Sequence, residues 1–391
     1  MAQALWVKKD ALAETQIVDL PDTPLAEGAV RLTIQSFAVT ANNVTYAVIG
    51  DMFHYWNFFP APDGWGVVPM WGHAIVTQSN CPEIAMGERV YGYLPTATQL
   101  DVIPGKISDS GFTDMAPHRQ PMSPFYNQYS RLAADPEHDP AHEDARMIFG
   151  PLFKTGFLIA DFYQRNDWFG AQELIMTSAS SKTAMALAHC AKLVSPAVRR
   201  IGLTSAANIG FVEASGLYDQ VIAYDAIGSL PVQPAVSVDF AGNAAVLRAI
   251  HSQFADQLRF SSTVGMTHVA ARGGEGTPLP GPQPQLFFAP TEALETIKAL
   301  GQEGFAAAMG AAWRGFLDTA ARTVTIAPIL TISRASLTNL LLSWLTCTRP
   351  SWCTPRSTKA PNWATLDTVP SSTMPSLRSL MSSTPSLKRA T

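Results

Sequence analysis

Leu174-Ile175-Met176-Thr177-Ser178-Ala179-Ser180-Ser181-Lys182-Thr183-Ala184 is the stretch that decides the fold. An apolar run passes into small hydroxyl residues and one lysine, after which Met185, Leu187, Ala188 and Ala191 recur at helical spacing. This pattern predicts a strand, a tight turn and a helix. The first turn of such a helix has N–H groups without internal partners and the positive end of the helix dipole, which together attract phosphate. The glycines of a G-x-G-x-x-G fingerprint are absent. In their place Ser178, Ser180, Ser181 and Thr183 offer hydroxyl donors, and Lys182 offers a point charge. Ser and Thr are also favoured helix N-caps, so the same residues would serve equally to cap a core helix.

The chain that follows reads as a β-α-β unit. Arg199 to Thr204 is a second strand, Ser205-Ala206-Ala207-Asn208 a turn, and Ile209 to Gly216 a helix. In such a unit an Asp or Glu at the second strand's tip bonds the ribose 2′-hydroxyl of NAD. Thr204 and Ser205 stand there instead, and hydroxyl donors tolerate a 2′-phosphate, so NADP is the expected cofactor. Further strands are expected at Gln220 to Tyr224, Ala235 to Phe240 and Gln257 to Thr263, with a helix from Ala244 to Phe254. Alternating short apolar strands and helices predict a parallel, doubly wound α/β sheet. Ser178, Ser180, Ser181, Lys182, Thr183, Thr204, Ser205, Asn208, Tyr224 and Phe240 are the candidate cofactor-binding residues.

Two domains are expected of 391 residues that are 47% hydrophobic. No run approaches the roughly 20 apolar residues of a membrane span, and no secretory signal pattern opens the chain. The four cysteines, Cys81, Cys190, Cys347 and Cys353, form no C-x-x-C pair, which makes a reducing cytoplasm the expectation. A net charge of −4 gives no electrostatic case for nucleic acid.

The N-terminal part has a different texture. Val30 to Val39 alternates as a half-buried strand, Gly72-His73-Ala74-Ile75-Val76 is another, and Gly87-Glu88-Arg89-Val90-Tyr91-Gly92-Tyr93 is a compact turn-and-strand motif. That motif resembles the G-D-R-V-x-G strand of the medium-chain dehydrogenase/reductase superfamily. Gly72-His73 falls where that superfamily carries G-H-E, and Thr40-Ala41-Asn42-Asn43-Val44-Thr45-Tyr46 resembles the N-x-x-D-x-Y region of quinone and enoyl reductases. Val238-Asp239-Phe240-Ala241-Gly242 is similar to the D-x-x-G end of a later strand. The motifs keep their order over most of residues 1–328, in what resembles an uncharacterised branch of that superfamily, one that carries Ser-Ala-Ser-Ser-Lys-Thr.

The resemblance implies a GroES-like irregular β domain over 1–145, with a lid-like insertion about 95–142, and a Rossmann domain over 146–322. A return strand and tail would occupy 323–391. It also makes Tyr46 the candidate acid, Asn42 its orienting amide and Tyr55 the reserve, and it admits Lys154 and Thr155 to the site. Val39 and Thr40 stand where zinc-dependent members have a cysteine, and Ala74 follows His73, so a metal-free site is expected, with His73 a satisfied core or turn histidine. Without zinc, a hydrogen-bond donor must stabilise the developing oxyanion.

The aromatic stretch Asp51 to Trp65 either walls an apolar cleft or packs an irregular domain. Residues 113–142 read as a solvated loop. Gln285-Leu286-Phe287-Phe288 is a candidate edge strand through which such proteins form homodimers.

After Pro328 the composition breaks: no glycine, and seven basic residues against one acid, a balance of +6 that leaves −10 for the preceding body. A shifted reading frame and a disordered extension both account for this. The expected activity is a zinc-independent, NADP(H)-dependent reduction of an activated C=C or C=O in a small apolar substrate of enone, quinone or acyl type. The alternative is a catalytically inactive module that binds nucleotide or a partner.

Overall fold

The computed structural model describes residues 2–264 and 278–324. The N-terminal half is built of antiparallel strands. β1 (Gln3–Lys8) and β2 (Ala11–Asp19) form a hairpin. β3 (Val30–Phe37) leads into α1 (Ala41–Val48), and β4 (Trp65–Gly66) then pairs with β1. Six more strands follow: β5 (Pro69–Ser79), β6 (Arg89–Pro95), β7 (Gln99–Val102), β8 (Pro104–Gly105), β9 (Gly111–Asp114) and β10 (Gln128–Arg131). With β3 they make a seven-stranded sheet in the order β7-β3-β5-β6-β10-β9-β8.

The stretch 95–142, expected as a lid-like insertion, therefore contributes four strands to this sheet. Nor is 113–142 a solvated loop. Arg119, 1% exposed, donates to Asp114, Asn127, Tyr129 and the Tyr126 carbonyl, and so ties the prolyl turns to the strands. The aromatic stretch is packing: Trp56, Phe58 and Phe59 are buried. A Cβ at Gly50 or Gly66 would come within 2.2 or 2.3 Å of the Trp56 indole, so only glycine fits at either position.

α2 (Glu143–Arg165) crosses into the second half. Glu143 and Asp144 supply the acidic residues that favour its N-terminus. Then come β11 (Glu173–Met176), α3 (Lys182–Val194), β12 (Arg199–Thr204), α4 (Ile209–Ala214) and β13 (Gln220–Ala223). β14 (Ala235–Asp239), α5 (Ala244–Phe254), β15 (Leu258–Thr263), β16 (Gln285–Leu286) and α6 (Ala289–Thr323) complete the described chain.

All five pairings of this second sheet are parallel, in the order β13-β12-β11-β14-β15-β16. This is the doubly wound arrangement that alternating strands and helices dictate. The four residues of β11 are 0–1% exposed, as a central strand covered on both faces requires. The candidate edge strand is β16, shorter than expected, with its own Leu286 and the following Phe288 exposed. The expected return strand and basic tail lie outside the described residues, apart from Thr323 and Val324.

Candidate functional site

In the parallel sheet the strand order reverses between β11 and β14, and the carboxyl ends of those two strands flank a crevice. Thr177, just beyond β11, closes the crevice floor. Its hydroxyl donates to Asp239 Oδ1 at 2.6 Å and accepts the N–H groups of Phe240 and Ala241. Asp239 in turn accepts N–H groups of Ala241 and Gly242. The carboxylate is thereby committed to the turn after β14.

Above this floor lies the loop from Ser178 to Ser181. Ser178 takes φ +48°, the left-handed region in which glycine is at home. Its N–H donates to Tyr224 Oη at 2.9 Å, and Tyr218 Oη donates to the Ala179 carbonyl at 2.7 Å. Ser181 is the N-cap of α3, accepting the N–H of Ala184 at 3.3 Å. Lys182 and Thr183, half-buried, form the first helical turn. Lys182 has no ion pair among the described residues.

At the tip of β12, Asn208 Nδ2 donates to Ser180 Oγ at 3.3 Å, and Ser205 Oγ is buried without a hydrogen-bond partner among the described residues. Thr204 and Phe240 are buried. Hydrogen bonds thus join Ser178 to Tyr224 and Ser180 to Asn208, with Ser181, Lys182, Thr183 and Ser205 in the adjoining turns. The Ser205 hydroxyl and Lys182, both without partners among the described residues, and the open turn of α3 are a donor set suited to phosphate.

In the antiparallel half, Asn42 and Tyr46 stand one turn apart on α1, and Asn42 Nδ2 donates to Tyr46 Oη at 2.7 Å. Trp71 Nε1 donates to the same oxygen at 3.1 Å. Two N–H donors thus converge on the Tyr46 hydroxyl oxygen. Burial, above all, raises its pKa, so it stays a neutral donor at every working pH. Tyr55 packs on Tyr46 with ring centroids 4.7 Å apart and shares a hydrogen bond with Tyr126. Tyr46 is only 4% exposed, inside an aromatic cluster with Tyr93 and Tyr126.

Trp71 also lines a cavity of about 20 Å3 between β6, α2 and α6, together with Tyr91, Phe125, Arg146, Lys154 and Trp313. That is room for one water-sized group. Arg146 Nη2 pairs with Asp135 at 2.6 Å, and its guanidinium lies 4.2 Å from the Tyr91 ring centre. Lys154 pairs with Glu137 at 3.3 Å, whereas the Thr155 hydroxyl donates back to the Pro151 carbonyl.

His73, with its ring centre 5.2 Å from that of Tyr91, is fully buried with neither ring nitrogen hydrogen-bonded among the described residues, and so is not the satisfied histidine expected. Burial pushes its pKa down to about 4; Glu143 opposes this, and Arg146, Arg89 and His138 reinforce it. Among the described residues no three His, Cys, Asp or Glu side chains are placed to hold a metal ion.

Sequence patterns missed Tyr218, Trp71, Arg146 and the role of Thr177. Tyr218, Trp71 and Thr177 act through partners 25 or more residues away, so no local spacing marks them.

A family model described as "Protein of unknown function (DUF2855)" matches residues 37–332. The chain belongs to that family. No curated protein matches the sequence. Among solved structures, the NADPH complex of CurA from Vibrio vulnificus is similar with a TM-score of 0.53 at 12% identity, over 89% of this chain and 96% of that one. A putative NADPH:quinone reductase from Bacillus thuringiensis is similar with a TM-score of 0.51 at 13% identity, over 90% and 97%. The fold is that of the medium-chain dehydrogenase/reductase superfamily, a GroES-like β domain followed by a Rossmann domain.

Proposed function

We propose that the chain is a zinc-independent, NADP(H)-dependent oxidoreductase acting on an activated C=C or C=O of a small apolar substrate. The observation that carries this reading is the Ser/Lys loop at the carboxyl end of β11, where the strand order reverses. The residues there fit NADP(H). Ser180, Ser181 and the first turn of α3 would hold the pyrophosphate, with Lys182 as the counter-charge. Ser205 and Asn208, at a strand tip with no carboxylate, leave the 2′-phosphate unopposed. When bound, NADPH supplies the hydride. NADPH in the Vibrio neighbour supports the choice of cofactor.

In this reading Tyr46 gives a hydrogen bond or proton to the substrate oxygen, and Asn42 and Trp71 orient it, with Tyr55 in reserve. Val39 and Thr40, in place of a metal-binding cysteine, support a reaction without zinc. Pairing of two copies at the β16 edge is the accompanying expectation, read by sedimentation.

One observation favours a second reading. The Tyr46 hydroxyl is closed off from solvent, as it would be in a catalytically inactive module that binds nucleotide or a partner.

Titration with NADPH and NADH, followed by nicotinamide fluorescence, separates these readings. Saturable NADPH binding with turnover of enones, quinones or aldehydes supports the first. Binding without turnover supports the second, and binding of neither cofactor by folded protein removes the oxidoreductase reading. Lys182→Ala should weaken NADPH about tenfold or more, through loss of a charge-assisted contact, with unfolding unchanged. Unaltered affinity would exclude Lys182 from the site.

A further inference from the structure

Ser178 stands in a backbone conformation that L-residues other than glycine rarely hold, and such a conformation persists only where its surroundings impose it. Four hydrogen bonds surround it. Tyr224 Oη accepts the Ser178 N–H at 2.9 Å, and Tyr218 Oη donates to the Ala179 carbonyl at 2.7 Å. The Ala179 N–H reaches Leu203 O at 3.0 Å, and the Ser181 N–H closes on Ser178 O at 2.7 Å. The last two are backbone bonds that a glycine loop would also make. The tyrosines are additional, one at the start and one at the end of the segment just before and after β13.

β12 makes room for this arrangement. A Cβ at Gly202 would lie 2.8 Å from Tyr218 Cδ1 and 2.9 Å from Ala179 Cβ, so that glycine is what lets the Tyr218 ring reach the loop. The glycine missing from the loop has its counterpart in the neighbouring strand.

We infer that Tyr218 and Tyr224 are positioning residues for the phosphate loop, holding from outside a conformation that glycine would adopt unaided. The inference rests on the NADP(H) reading of the site. With their hydroxyls on the loop backbone, the two side chains act through the loop and leave phosphate contact to Ser180, Ser181 and Lys182.

The test compares full-length wild type, Tyr224→Phe, Tyr218→Phe, Ser178→Gly and the double variant Ser178→Gly/Tyr224→Phe by NADPH titration and thermal midpoint. Tyr224→Phe should weaken NADPH about tenfold, and Ser178→Gly in that background should restore affinity to within about threefold of wild type. Tyr218→Phe should weaken NADPH as well. A tyrosine that only supports the fold would lower the midpoint without glycine restoring affinity, and that result overturns the inference. Wild-type affinity in Tyr224→Phe also overturns it, while leaving the NADP(H) reading intact.

Wild type that binds no NADPH sinks the functional reading instead. The hold on the loop is then decided by midpoints. Ser178→Gly raising the midpoint more in Tyr224→Phe than in wild type upholds it, and equal shifts overturn it.

Discussion

Thr177 shows how much one hydroxyl can carry. It donates to a buried carboxylate and accepts two backbone N–H groups from the turn across the crevice. Valine has nearly the same shape and none of these bonds. Thr177→Val should therefore destabilise the chain by about 2–4 kcal/mol, since the partners stay buried and lose their acceptor or donor. Urea unfolding measures this, and a loss below about 1 kcal/mol would show that the turn re-forms its bonds elsewhere. Thr177 belongs to the stretch that reveals the fold, yet nothing in that stretch marks it as the tie between two strands. Its partner Asp239 is 62 residues away. Asn42 and Tyr46 were named together through the family resemblance; the structure sets them four apart on one helix, whereas their other partner, Trp71, comes from a separate strand.

Among the elements, α2 and α3 make a close backbone contact. A Cβ on Gly156 would come within 2.7 Å of the Leu187 backbone nitrogen and 2.8 Å of Ala186 Cβ. Backbone cannot give way as a side chain can. Gly156→Ala should gain about 1 kcal/mol of helix propensity and lose more to the forced separation of the helices, for a net loss of about 1–2 kcal/mol. A midpoint equal to or above wild type in thermal unfolding would contradict this. The Rossmann elements were read closely from sequence: Arg199–Thr204 and Ala244–Phe254 have the observed bounds. Short apolar strands alternating with amphipathic helices leave little ambiguity. Residues 95–142 were misread because their strands are two to four residues long and broken by prolyl turns, too short for period-2 alternation to register.

Across the whole molecule, buried titratable groups set the response to acid. His73 is neutral when folded, with a pKa near 4, and takes a proton when unfolded at the ordinary histidine value of about 6.5. Between those values the unfolded chain binds more protons, so stability rises with pH through the window and is lost as pH falls through it. The loss is about 3 kcal/mol at full extent. His189 and His251, also lowered by burial, act in the same direction. Chemical denaturation of His73→Leu from pH 7 to 4 should show a flatter profile than wild type, and an identical slope would remove His73 as a source of acid sensitivity. Glu143, held at about 2 chiefly by Arg89, loses its contribution only at lower pH. Hydrophobic periodicity and turn residues, which are local properties, determined by themselves that a β domain precedes a parallel α/β sheet with a phosphate-suited loop. Tertiary structure alone decided which hydroxyls are already engaged, how tightly Tyr46 is enclosed, and that two tyrosines brace the loop. Those outcomes depend on packing between residues distant in the chain, where burial and hydrogen-bond geometry, rather than spacing, determine what each group can still do.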